Sequence, residues 1–403
     1  MNILFLTIVK IDDISDRGVY PDLMRKFRNE GHKVFILTPI ESRYCQKTIM
    51  AKSGNITIIK IPTLNIQKTN ALKKWLSTLF INYQYLRGIR RFLSEVMFDI
   101  VLYSTPPITF LKLIDYIKIR DGASSYLLLK DIFPQNAVDL GLIRNGSLIH
   151  NYFRNLEKKL YEISDYIGCM SQANVDYILK SNPEIKPQKV EINPNSHELF
   201  NEAITSEQKL LIRTKYTIPA SATVFIYGGN LGKPQGIRFI LDFLNSQLNK
   251  SGVFFVIVGS GTEYSRIKSW FDLEKPENMT LISQLPKQEY NLLLQSCDVG
   301  MIFLDKCFTV PNFPSRLLSY MEYKLPVLAA TDKSTDLSKI IVENRFGLWA
   351  ESGDLLSINQ NLARLVQFPE LREKMGINGY NYFLENYTVK NSYETIIKHF
   401  NKE

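Results

Sequence analysis

Three strand-to-helix junctions in the second half of the chain carry residues suited to an anion. The first is Gly228-Gly-Asn-Leu-Gly-Lys-Pro-Gln-Gly236, which follows the apolar run TVFIY and precedes IRFILDFL. Glycines between a strand and a helix let backbone N–H groups approach a phosphate closely, and Lys233 adds positive charge. Pro follows Lys233 where a Walker A loop has Ser or Thr, and the spacing is not GxGxxG. The second junction, FFVIVGSGTEY, places Gly259 and Gly261 ahead of a helix that Thr262 is positioned to cap. The third lies in FTVPNFPSRLLSYMEYKLPVLAATD, residues 308–332, around Phe313. There Ser315 stands where an N-cap residue belongs, and Arg316 falls in the first turn, where the helix dipole disfavours a cation. An anion sharing the site would reverse that penalty. Each junction alone also reads as an ordinary turn or cap. Three in sequence order point to a nucleotide or a sugar diphosphate.

In the first half the informative segment is LLLKDIFPQNAVDLGLI, residues 127–143. A strand ending at Lys130-Asp131 puts Asp131 at the carboxyl edge of a sheet, where it suits catalysis or a substrate hydroxyl; the competing reading is a turn or helix cap. Pro134 breaks the chain, and Gln135 and Asn136 supply neutral hydrogen-bonding groups that suit a sugar. His32, His150, His197 and His399 form no triad or metal pattern. Cys45, Cys169, Cys297 and Cys307 include no CxxC pair, so neither a disulfide framework nor a zinc site is expected, and the compartment is expected to be reducing.

These candidates need a scaffold, and the apolar pattern supplies one. With 403 residues the chain has room for two domains. Residues 1 to about 200 alternate short apolar runs with amphipathic stretches, as in a parallel sheet covered by helices. Strands are expected at Ile3–Val9, Val34–Thr38, Ile56–Ile61, Ile100–Tyr103, Tyr126–Leu129 and Tyr166–Met170, with helices at Tyr20–Glu30, Ile108–Arg120 and Ile149–Ile163. Such sheets bind ligands beyond the carboxyl ends of their strands, which singles out Arg17-Gly18, Ser104–Pro107, Lys130–Asn136 and Ser171. A linker is expected in VEINPNSHELF, Val190–Phe200. A second series follows, with strands at Thr223–Tyr227, Phe254–Val258, Met279–Ile282, Val299–Phe303 and Pro326–Ala329. The helical tail after Leu371 is expected to return to the first domain.

The amino terminus, MNILFLTIVKIDDIS, lacks a basic leader region and reads as a first strand; no run approaches the roughly 18 apolar residues that span a bilayer. A cytoplasmic location is expected. The net charge of +9 is concentrated in residues 1–200, where 27 Lys and Arg face 19 Asp and Glu, against 22 and 21 in the rest. Within that half, Thr69–Glu95 mixes Lys73, Lys74, Arg87, Arg90 and Arg91 with Trp75, Leu79, Phe80, Tyr83 and Tyr85. This stretch reads either as a helix lying on an anionic membrane or as one packed on the sheet with its cations in water. The basic residues show no nucleic-acid-binding motif, and no nucleic-acid partner is expected.

Taken together, the early glycine loop with GHKV at residues 31–34, KDIFPQNAVDLGLI, INPNSHELF, YGGNLGKPQG, VGSG and VPNFPSRLLSYMEYKLPVLAATD resemble a known family across the whole chain. The chain is similar to bacterial GT-B glycosyltransferases of family 4, in the O-antigen and capsule branch that includes N-acetyl-L-fucosaminyltransferases. The resemblance implies two Rossmann-like α/β domains facing across a cleft: residues 1–195 for the acceptor, residues 205–385 for the nucleotide sugar, and residues 386–403 as a helix crossing back to the first domain. It implies retaining transfer of an N-acetylated deoxy-aminosugar from a UDP-linked donor to a polyprenyl-diphosphate-linked saccharide at the inner membrane face, with no cofactor or obligatory metal.

Carried over by position, Gly229, Asn230, Gly232 and Lys233 lie near the diphosphate with Gly259, Gly261, Asn312, Phe313, Ser315, Arg316 and Ser319 completing the donor site. Arg17 and Gly18 border the acceptor, and Lys130 and Asp131 fall where relatives keep a polar pair below the reacting sugar. Two departures stand out. Relatives often carry two glutamates eight residues apart, where this chain has Pro311 and Ser319, and an Arg and a Lys in the first glycine loop, where it has Asn230 and Gln235. No DxD-type pair stands at a strand end; Asp332 and Asp336 read as caps. An epimerase on the same plan and a non-enzymatic sugar-binding module are the competing readings.

Overall fold

The structure, a computed structural model, describes residues 1–65, 71–199 and 203–400, with the side chains of 71–76 left out. The chain forms two compact units: Met1–Glu198 together with Thr388–Glu403, and Leu199–Tyr387.

The first unit is built on eight strands, β1 (Asn2–Leu6), β2 (Lys33–Glu41), β3 (Ile49–Ser53), β4 (Ile56–Thr63), β5 (Ile100–Ser104), β6 (Ser124–Leu129), β7 (Tyr166–Cys169) and β8 (Val190–Ile192). Their order across the sheet is β3-β4-β2-β1-β5-β6-β7-β8. All pairings are parallel except β3 with β4. Sequence pattern misses β3 because all five of its residues are exposed at the sheet edge, which removes the apolar signal. The segment expected as linker opens, as its apolar start implies, with a short strand, Val190–Ile192, which pairs with β7.

The second unit carries β9 (Thr223–Asn230), β10 (Val253–Ser260), β11 (Met279–Ile282), β12 (Val299–Phe303), β13 (Val327–Thr331) and β14 (Gly347–Glu351). They form an all-parallel sheet in the order β11-β10-β9-β12-β13-β14. Successive residues of β9 feed opposite faces: Val224 and Ile226 join one apolar cluster, Phe225 and Tyr227 the other. Burial on both faces explains why these strands read as unbroken apolar runs.

In each sheet one strand marks the reversal of chain order. β1 lies between β2 and β5, and β9 between β10 and β12. A crevice opens beyond the carboxyl end of such a strand, because the flanking connections leave on opposite faces. The carboxyl ends of β1 and β9 lead into the two loops singled out in the sequence.

Residues 388–400 complete the first unit. Thr388 caps the helix Val389–Ile397, and Ile396 and Ile397 enter the same apolar cluster as Ile3, Phe5 and Phe27. Burying each contributes about 1.5–3 kcal/mol. Tyr393 adds an edge contact to Phe27 at 4.9 Å between centroids and a hydrogen bond with His32 of 2.9 Å.

Candidate functional site

In the second unit β9 runs past Tyr227 to Asn230, so Gly228 and Gly229 are strand residues and not the turn expected of them. Gly259 lies opposite Gly229 in the neighbouring strand, and Ser260 opposite Asn230. A Cβ on Gly259 would stand 1.9 Å from the Gly229 carbonyl oxygen, and one on Gly261 2.3 Å from that of Leu231. Close backbone approach between strand ends therefore accounts for both glycines. The turn itself is Lys233–Gln235, clasped by Gln235, whose side-chain oxygen accepts from Gly232 N at 3.1 Å and Asn230 Nδ2 at 3.2 Å. Gln235 thus organises the loop. Lys233 is exposed at its edge.

The charge at this strand end comes from the helix Arg316–Glu322. Ser315 precedes that helix, but its side chain caps no backbone N–H; it sits in helical backbone geometry and is exposed, which corrects the N-cap expectation. Arg316 turns inward. Its guanidinium lies 4.2 Å above the Tyr227 ring centroid, and Nη2 is 3.2 Å from where a Gly229 Cβ would be. Tyr320 and Tyr290 close the cluster. The Tyr320 hydroxyl donates toward the carbonyls of Ile226 and Met301, and the Tyr290 hydroxyl fills the space that a Cβ on Gly228 would need.

The Arg316 surroundings are tyrosines, and its Nη1 is buried without a hydrogen-bond partner. A half-buried cation whose Nη1 is enclosed against π faces and backbone, with no carboxylate in an ion pair among the described residues, is costly unless an anion completes it. On the loop just before it, Asn312 Nδ2 is a second buried donor without a partner. The Asn312 carbonyl is fixed by the Thr335 hydroxyl at 2.8 Å. Phe313 goes elsewhere, stacking on Tyr387 with 6.0 Å between centroids as part of the core. Ser319 is half-buried within the helix, and Glu322 is buried. The structure therefore gathers Gly229, Asn230, Gly232 and Arg316 about one strand end, backs them with Gly259 and Gly261, and turns Phe313 inward.

In the first unit Lys130 and Asp131 follow β6 directly, and Thr105 after β5 ties them down. Its hydroxyl accepts from Lys130 N at 3.0 Å and donates to the Asp131 carbonyl at 3.2 Å. Asp131 is half-buried and does not cap the next helix, Gln135–Asp139, whose cap position is Pro134. Tyr20, at the start of the helix Val19–Asn29, hydrogen-bonds Ser104; burial pushes its hydroxyl up to about 12, and the Asp131 carboxylate adds to the rise. Lys130 Nζ donates to the Asn193 carbonyl at 3.1 Å, and burial pulls its amine down to about 7. Gly18 donates its N–H to Asp22 at 2.8 Å, and Arg17 reaches the Glu198 carbonyl at 3.4 Å. Ser171, the remaining suspect, spends its hydroxyl on Asn174 at 3.0 Å. Tyr20, Tyr290 and Tyr320 escape a reading of the sequence because no spacing rule links them to the residues they touch, whereas Gln235 meets Gly232 at capping-box spacing.

The long helix Ala71–Phe92 presents Leu79, Phe80, Tyr83 and Leu86 to an open groove of about 580 Å³, closed by residues that include Lys112, Tyr152 and Leu156. Phe80 and Tyr83 are 52% and 64% exposed, and Arg87, Arg90 and Arg91 lie in water at the end of the same helix. The side chains of Lys73, Lys74 and Trp75 fall outside the described residues. Among the described residues no helix is long and apolar enough to cross a membrane, and no group of three or more His, Cys, Asp or Glu is placed to hold a metal ion.

Comparison with known proteins bears on the fold and the class of activity. Residues 208–382 match the family model described as glycosyl transferases group 1, a span holding every donor-site candidate of the second unit. The chain is 24% identical over 320 residues to a probable glycosyltransferase, WbjE, of Pseudomonas aeruginosa, covering 79% of this chain and 76% of that one. It is 19% identical over 360 residues to the putative colanic acid biosynthesis glycosyl transferase WcaI of Escherichia coli K12, covering 84% and 86%. Among solved structures, Anabaena HepE in complex with UDP and glucose superposes with a TM-score of 0.71 at 13% identity, over 99% of both chains. Its second unit carrying the group 1 domain, the chain is a glycosyltransferase of the GT-B fold.

Proposed function

We propose that the enzyme transfers a sugar, with retention, from a UDP-linked donor to a lipid-linked saccharide in the synthesis of a surface polysaccharide. One observation carries the donor half of this reading: the Arg316 guanidinium, packed on Tyr227 and Gly229 with Nη1 unpartnered. An anion of two adjacent phosphates supplies what that group lacks. In the solved relative HepE the bound nucleotide is UDP, which supports the choice of base. The likeness to a colanic acid enzyme supports a polysaccharide product.

Transfer breaks the bond between the anomeric carbon and the diphosphate oxygen and makes one to an acceptor hydroxyl. Negative charge grows on the departing nucleotide, where Arg316 and Lys233 stabilise it; preorganised charge of this kind is the largest contributor to such reactions. Asn312 offers a hydrogen bond to the same ligand. Lys130 and Asp131 act in the first unit on sugar and acceptor hydroxyls, with Arg17 and Gly18 bordering the acceptor. The donor sugar is an N-acetylated deoxy-aminosugar on the strength of the motif likeness. No metal enters this scheme. The exposed aromatics and cations of the helix Ala71–Phe92 suit an anionic membrane surface, from which a lipid-linked acceptor would be drawn.

Calorimetric titration of UDP, GDP and their sugar conjugates, without added metal, tests the donor site. Binding of UDP that weakens when Arg316 is replaced supports it. Failure of every nucleotide to bind would overturn it.

A further inference from the structure

Asn193, the residue just after β8, is 1% exposed and uses every polar atom it has. Its N–H donates to the Cys169 carbonyl at 2.8 Å, Nδ2 donates to the Tyr126 hydroxyl at 3.0 Å, and Oδ1 accepts from the Ser392 hydroxyl at 2.6 Å. Its remaining atom, the carbonyl oxygen, accepts from Lys130 Nζ. Pro194 follows and offers no N–H. The geometry leaves no slack: a Cβ on Gly168 would stand 2.7 Å from both the Asn193 Cβ and the Tyr126 hydroxyl.

The partners of Asn193 are themselves held. Tyr126 donates to Glu191 Oε1 at 2.8 Å. Glu191 also takes His399 Nε2 at 2.9 Å and Lys398 Nζ at 2.6 Å, and the His399 ring stacks on Tyr166 at 3.8 Å between centroids. The segment 388–400 therefore grips the β7–β8 edge at two places, Ser392 and His399, with Asn193 between them and the Lys130 amine.

We propose that Asn193 is a positioning residue for Lys130, and that the helix Val389–Ile397 sets it through Ser392. A carbonyl fixed in this way points the amine of a flexible four-carbon side chain in one direction. Released, the amine would sample many rotamers, and misplacement by about 1 Å costs a reacting group as much as 100-fold in rate. The functional consequence rests on the reading of Lys130 as acting in transfer; the positioning itself does not.

The test uses the full chain and two variants that each remove one side-chain hydrogen bond of Asn193 while sparing the backbone, Ser392→Ala and Tyr126→Phe; the second also removes the bond from Tyr126 to Glu191. Competitive labelling with acetic anhydride, read by mass spectrometry, reports the reactivity of each lysine. Labelling of Lys130 is expected to rise about three- to tenfold in both variants, the equivalent of losing one hydrogen bond. Exposed Lys52 and Glu191-paired Lys398 should stay as in the parent. Unchanged Lys130 labelling overturns the proposal. So does a rise matched at Lys398, which would mean that the helix has simply come away. Hydrolysis of the bound UDP-sugar, with water as acceptor, gives the second readout. Both variants should lower kcat without moving KM for the donor, and should lower it no further in a Lys130→Ala background. If Lys130→Ala itself leaves kcat untouched while labelling changes as expected, the positioning stands and the catalytic reading of Lys130 falls.

Discussion

Arg316 lies over the Tyr227 ring, 4.2 Å from ring centroid to guanidinium carbon, so that a cation from one helix covers the end of the central strand of the second sheet. In the loop after that strand Asn230 and Gln235 are clasped to each other, and the charge of Arg316 comes from 86 residues beyond Asn230 in sequence.

Removing that charge should weaken the nucleotide. Arg316→Ala is expected to cost UDP affinity about 10- to 100-fold, the value of charge-assisted hydrogen bonds. Arg316→Lys should recover only part, because a point charge loses the planar fork and the stacking on Tyr227. Lys233→Ala should cost less and depend more on salt, since Lys233 is exposed. Calorimetry on the three variants separates these outcomes, and equal affinities would move the diphosphate elsewhere.

Asp131→Asn should abolish most turnover while leaving donor affinity within about twofold, because it alters a group acting on hydroxyls and not on the diphosphate. Single-turnover kinetics beside equilibrium binding decide this, and full activity would strike Asp131 from the site.

Burial holds the Lys130 amine at about 7, against 10.5 for an ordinary lysine. Between those values the unfolded chain keeps a proton that the folded chain has released, so stability rises with pH across that window. Below it both states are protonated and the full cost of burying the charge is felt. Lys130→Met should therefore raise the melting temperature at pH 7 and flatten its rise toward pH 10. A parent curve without that rise would contradict the buried amine.

Gly259→Ala should destabilise the second unit by about 1–3 kcal/mol or more, since the new methyl has a carbonyl oxygen 1.9 Å away and a paired strand cannot step aside. Chemical denaturation measures it. Gly122→Ala has open space around it and carries only the strain of a φ of +67°.

Arg87, Arg90 and Arg91 should tether the protein to anionic vesicles at low salt. Reversing each to Glu is expected to lower partitioning about fivefold, near 1 kcal/mol per cation. Phe80→Ser with Tyr83→Ser should weaken binding even where charge is screened. Co-sedimentation across a salt series distinguishes the two, and binding that ignores all five changes would place the membrane face elsewhere.

Strands buried on both faces were legible because nothing polar interrupts them; Val224–Tyr227 and Val299–Phe303 are examples. The exposed edge strand Ile49–Ser53 was not, for the opposite reason. Glycine proved ambiguous. Gly259 and Gly261 read as phosphate-binding glycines, yet carbonyl oxygens of the adjoining strand and loop require them on steric grounds alone. Arg316 was legible as a misfit in a helix first turn, but its ring of tyrosines was not, because Tyr227, Tyr290 and Tyr320 meet only through the fold. Asn193 fell inside the expected linker, just before Pro194. Its partner Ser392 is 199 residues away, beyond the reach of any local pattern.

The first unit is written in two pieces, Met1–Glu198 and Thr388–Glu403, while the second is one uninterrupted stretch. His197 and Thr388 pair as a bridge, so the two pieces meet where the intervening residues leave and return. On the ribosome the order of completion is therefore inverted. The first-made unit lacks Ile396, Ile397 and Ser392 until residues 388–400 emerge, whereas the second can close as soon as Tyr387 is clear of the exit tunnel. A chain stalled before Thr388 would display a finished second unit beside an open apolar core. The same topology makes residues 199–387 an insertion that a short turn could replace, leaving the first unit with both of its halves.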